Sequence, residues 1–80
     1  MATATPWHQT VSRAAAVLGV STERLMDILT RASIAGDNVL EVEFATFFAL
    51  LERELMVRPA VPRVKAALAI LVSRSWADAQ

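Results

Sequence analysis

The sequence predicts an all-α fold of four short helices, and three observations predict it. Apolar residues recur at helical spacing along most of the chain. No useful length alternates apolar and polar residues with period two, so no sheet is expected. Helix-starting and helix-stopping residues also fall between the apolar stripes, at Pro6, Gly19, Ser21, Gly36, Asn38, Pro59 and Pro62. Eighty residues make one small helical domain, 1–80.

The first helix is expected over about 6–18. Thr5 can cap it, and Pro6 takes the first helical position, where a missing N–H costs nothing. Trp7, Val11, Ala14, Ala15 and Leu18 share one face. Gly19 then stops the helix in the left-handed conformation that other residues avoid. A second helix, 22–35, follows Ser21 as cap, with Leu25, Ile28, Leu29 and Ala32 as its stripe and Gly36 as its stop. Asn38 and Glu41 form an Asn variant of the capping box, which starts a third helix over 39–57. Its stripe of Leu40, Phe44, Phe47, Phe48, Leu51 and Leu55 marks it as the central core helix. Arg58-Pro59 ends it, because the residue before proline is pushed out of the helical region. A last helix, 62–77, opens at Pro62 and carries Val64, Ala67, Leu68, Leu71 and Val72. One competing reading makes residues 34–42 a small hairpin, or wing, around Gly36-Asp37-Asn38.

Composition limits the function. Apolar residues form 55% of the chain, above the usual share, which points to association in a domain too small for a large core. There are no cysteines and one histidine, His8, so disulfides and thiolate metal sites are excluded and no metal site is expected. MATATPWHQT lacks the basic start and apolar run of a secretory signal, and no apolar run approaches the length of a membrane span. A soluble, cytoplasmic protein is expected. Eight basic and eight acidic residues cancel, which argues against strong non-specific nucleic-acid binding. The charge is nevertheless uneven. Residues 32–54 hold five acids and one arginine, whereas 55–77 hold Arg58, Arg63, Lys65 and Arg74 and no acid.

The stretch RAAAVLGVSTERL, residues 13–25, has a helix-turn-helix spacing. Ala15 lies four residues before Gly19, Leu18 and Val20 flank the glycine, and Leu25 and Ile28 follow at packing positions. Over Val11–Arg31 the chain resembles small bacterial and phage helix-turn-helix DNA-binding regulators, including Fis-like, excisionase-like and terminase-type readers. The resemblance implies that the second helix enters the major groove of double-stranded DNA, with Ser21, Thr22, Arg24 and Arg31 toward the nucleic acid. Arg58, Arg63 and Lys65 would hold phosphates. Two acids on that helix, Glu23 and Asp27, depart from the family's reading surface, since groove readers favour Arg, Lys, Asn and Gln.

No catalytic constellation is found. His8, with Thr10 and Ser12 nearby, has neither a glycine-rich elbow nor an oriented third member. Glu41, Glu43, Glu52 and Glu54 lack the histidine that carboxylate metal sites in bundles use, and read as a solvated face. Phe44, Phe47 and Phe48 read as core, and neither Gly19 nor Gly36 belongs to a phosphate loop. The chain is therefore expected to be no enzyme, with no cofactor and no small-molecule substrate. The first expectation is a transcription regulator of the helix-turn-helix kind. The alternative is a protein-binding module, an adaptor or phage-type anti-defence inhibitor, working by protein contact alone. Ile70 and Trp76, surplus to the stripe of the last helix, are expected at a homodimer interface.

Overall fold

The computed structural model describes residues 6–79, and side chains over 6–73. Thr5 lies outside the described residues. Four α-helices are present among them: α1 (Pro6–Leu18), α2 (Thr22–Arg31), α3 (Phe44–Leu55) and α4 (Val61–Ala79). A 3-10 turn, Val39–Glu41, stands between α2 and α3. No strand is present among the described residues, so residues 34–42 are a looped connection and not a wing.

The first two helices begin and α1 ends as local chemistry dictates. Pro6 opens α1, and the buried Thr10 hydroxyl donates to the Pro6 carbonyl at 2.9 Å. Gly19 holds φ +77°, its N–H bonds to the Ala16 carbonyl, and the Val20 N–H bonds to the Ala15 carbonyl. That double return is a Schellman motif, which satisfies two orphan carbonyls and turns the chain sharply. Ser21 then caps α2, its Oγ accepting from the Arg24 N–H at 3.1 Å.

The end of α2 differs from the sequence expectation. The helix stops at Arg31, four residues before Ala35, and Ser33 rather than Gly36 takes the left-handed turn, at φ 59°. The Ile34 N–H returns to the Leu29 carbonyl at 2.8 Å and the Ser33 N–H to the Thr30 carbonyl. This second Schellman motif swings Ile34 back into the core beside Leu29. Burial of an isoleucine, worth roughly 1.5–3 kcal/mol, outweighs a strain of about 1–2 kcal/mol at a serine.

The start of α3 differs as well. Asn38 caps nothing: its Oδ1 accepts from the Ala35 N–H at 2.8 Å and its Nδ2 donates to the Ser33 carbonyl at 2.7 Å. With both ends of the amide spent on the preceding loop, residues 39–41 make one 3-10 turn. It buries Val39 and leaves Leu40 46% exposed. The helix proper waits for Phe44, after an extended Glu43 whose side chain makes no capping bond. It ends at Leu55, two residues before the expected Val57, because Met56 turns left-handed at φ 57°.

The core collects Val11, Ala14 and Ala15 of α1, Leu25, Ile28 and Leu29 of α2, Phe47 and Leu51 of α3, and Val64, Ala67 and Leu71 of α4. The most extensive helix contact is between α1 and α4, and α4 also packs against α3 and the 3-10 turn, so α4, and not α3, is the central helix. Small buried residues on both helices, Ala14 and Ala15 of α1 and Ala67 of α4, let these two axes approach. Among the described residues no buried side-chain nitrogen or oxygen lacks a partner.

Candidate functional site

The outward face of α2 is where the sequence places a DNA-reading surface, and its arginines are already engaged. Arg24 Nη2 donates to the backbone carbonyl of Glu54 at 2.6 Å. Arg31 Nη2 lies 2.9 Å from Asp27 Oδ2 and 2.9 Å from Glu54 Oε1. Arg53 Nε approaches the other Glu54 oxygen at 3.6 Å. Both α2 arginines therefore lean on the last turn of α3, where orphan carbonyls and the helix dipole favour positive charge. They stand seven residues apart, two helical turns, and so share one side of α2. Glu54, read from sequence as part of a solvated face, is the hub of this contact. Nothing in the local sequence marks it, because its partners on α2, Arg24 and Arg31, lie some 20–30 residues away.

The other α2 positions are divided. Ser21 is occupied as the helix cap. Thr22 is half-buried, and its hydroxyl donates to Ser12 Oγ of α1 at 3.2 Å, fastening the two helices across the turn. Glu23, Asp27 and Thr30 stay exposed. The α2 surface thus offers two carboxylates, one of them paired, and two tethered arginines.

The acid-free segment behaves differently. Arg58 sits 6.0 Å from the centroid of the Phe48 ring, and Lys65 Nζ sits 5.9 Å from that of Phe44. The two rings are 5.9 Å apart and tilted by 43°. Each cation rests on the negative face of a ring, an attraction of about 0.5–1 kcal/mol at an exposed site. Arg63 lies elsewhere, its guanidinium over the α1–α2 turn: a β-carbon on Gly19 would meet Arg63 Nη1 at 3.8 Å. Among the described residues none of Arg58, Arg63 and Lys65 forms an ion pair.

Arg58 and Arg63 meet at a groove of about 440 Å³ between the α1–α2 turn and the α3–α4 connection. Leu18, Val20, Leu55 and Val57 make its apolar wall. Val57 is itself 61% exposed, and its chain neighbour Met56, at 87%, and Val61 at the start of α4, at 41%, also face solvent. The sequence expectation carries the third helix through Val57 and so gives Met56 and Val57 no surface role. The exposure of Met56 and Val57 follows from the left-handed turn at Met56, which no glycine or asparagine announces. A larger groove of about 1030 Å³ runs between residues 32–43 and α3, but its rim mixes Glu41 and Glu43 with Arg53 and it has no concentrated charge.

Ile70 is half-buried against the core, beside a shallow hollow that it forms with Arg13, Ala69 and Ser73. Trp76 belongs to α4 by its backbone, and its side chain lies outside the described residues, as does that of Arg74. Among the described residues no three carboxylate or histidine side chains converge as metal ligands would, and no helix is long and apolar enough to cross a membrane. No protein-family model matches the chain, nor does any curated protein or solved structure.

Proposed function

We propose that this chain is a small protein-binding module that acts by contact with a partner protein. One observation carries the reading: a methionine 87% exposed, Met56, is held in a left-handed backbone beside two further exposed valines. That conformation costs a residue with a β-carbon about 1–2 kcal/mol, and the exposed side chain recovers little of it by packing. Strain kept at a solvent-facing apolar residue suggests a use outside the fold. The neutral, tethered face of α2 supports the same reading, since a groove reader presents free basic and amide side chains. Self-association through Ile70 and Trp76 of α4 is a separate proposal that this reading does not require.

A second reading, the helix-turn-helix DNA-binding regulator, is favoured by the position of Arg63 over the Gly19 turn with Arg58 in the same groove. These are phosphate-holding candidates close to the N-terminus of α2. The exposed Arg31–Asp27 pair is weak enough for a phosphate to displace.

A gel-shift titration with duplex DNA at low salt separates the two. The protein-binding reading predicts no retardation, for the wild type and for Glu23→Gln/Asp27→Asn alike. Retardation that strengthens in the double variant, and weakens with a log–log salt slope of about 0.9 per phosphate neutralised, would establish the DNA reading instead.

A further inference from the structure

We infer that the groove between the α1–α2 turn and the α3–α4 connection takes an acidic segment of the partner, with an apolar side chain seated between Leu18, Val20 and Leu55 and carboxylates held by Arg58 and Arg63. The inference rests on the protein-binding reading and names the chemistry of the partner.

Charge complementarity selects the occupant. Arg58 and Arg63 are the two cations at this groove, and neither has an ion pair among the described residues. A guanidinium presents paired N–H groups that match the two oxygens of a carboxylate. Arg58 is also steadied, because its guanidinium rests over the Phe48 ring, so less side-chain freedom remains to be lost on binding. Arg63 Nη1 lies over the Gly19 turn, at the groove that Arg58 also lines.

The polarity of the wall argues against the nearest alternative. The groove, about 440 Å³, falls within the range of roughly 300–1,000 Å³ typical of pockets that enclose a ligand group. Its wall between the arginines is aliphatic. A nucleic-acid backbone would satisfy the arginines and leave that wall wet, whereas an acidic peptide with leucine-like side chains fills both. Exposed Met56 and Val61 extend the apolar surface beyond the groove, where flanking apolar residues of such a segment would lie.

The test is an amide NMR titration of the full chain with the pentapeptide amide acetyl-Glu-Leu-Glu-Leu-Glu, with its Lys-Leu-Lys-Leu-Lys counterpart, and with a short DNA duplex. The acidic peptide is expected to give saturable shifts at Gly19, Val20, Ala60 and Arg63, and the basic peptide none. Arg58→Gln and Arg63→Gln should each weaken binding about tenfold, as loss of a charged hydrogen bond does, while Arg53→Gln leaves it unchanged. Dispersion of the same spectra reports that each variant is folded. Absence of saturable shifts, equal shifts with the basic peptide, or unchanged affinity in both groove variants overturns the inference and leaves the protein-binding reading standing. Saturable shifts by the duplex at these amides overturn both.

Discussion

Gly19 and Met56 hold nearly the same left-handed backbone, at φ 77° and 57°, with opposite consequences. At Gly19 the conformation is free, and a β-carbon would make only ordinary contact with Arg63. Replacement there adds strain without a clash. Gly19→Val should cost at least about 1 kcal/mol, which in a domain of this size lowers the melting temperature by roughly 4–8 °C. At Met56 the strain is already present. Met56→Gly removes about 1–2 kcal/mol of it and adds about 0.5–1 kcal/mol of chain entropy to lose, so the melting temperature should hold or rise slightly. Thermal melts of both variants check the pair, and a clear fall for Met56→Gly would mean that its side chain packs in solution. Only Gly19 was legible in the sequence, since glycine announces a left-handed turn. A methionine or a serine in that conformation announces nothing, so the turns at Ser33 and Met56, and the surface that Met56 presents, were not.

At the scale of elements, the sequence read helix faces better than helix ends. The stripe Leu25, Ile28 and Leu29 is buried as its spacing requires, and so are Val11, Ala14 and Ala15. The ends failed where a side chain had two possible employments. Asn38 is a good helix cap by type, yet both its amide groups bond to the loop before it, and that choice moves the start of α3 to Phe44. Removing both bonds in Asn38→Ala should destabilise the protein by about 0.5–1.5 kcal/mol for each exposed hydrogen bond lost, at the low end of that range. Chemical denaturation with an unchanged slope and a lower midpoint is the expected result. An unchanged midpoint would mean that the loop is held by Ile34 and Val39 alone. Glu54 marks the same limit for the site. Its bonds to Arg24 and Arg31 join α2 to the end of α3, and no local pattern encodes a pairing at that separation.

For the whole molecule, the excess of apolar residues was visible from composition, and its destination was not. Part of it enters the contact of α1 with α4, where alanines allow close approach. Part remains at the surface around Met56, Val57 and Val61. Self-association through α4 is a separate expectation, and light scattering coupled to size exclusion tests it. Two-chain mass for the wild type and one-chain mass for Ile70→Glu, with folding confirmed by circular dichroism, is the predicted outcome. One-chain mass for the wild type removes the dimer from the account.

If the protein-binding reading holds, this chain meets a protein at the groove beside Met56, and not a nucleic acid along α2. In-cell photo-crosslinking tests it most directly, with benzoyl-phenylalanine placed at Met56 in one variant and at Asp27 in another. A discrete protein adduct is expected from position 56, one that resists nuclease and disappears when Arg58 and Arg63 are both changed to glutamine. No nucleic-acid adduct is expected from position 27. Nuclease-sensitive adducts from position 27, with none to protein from position 56, would contradict it.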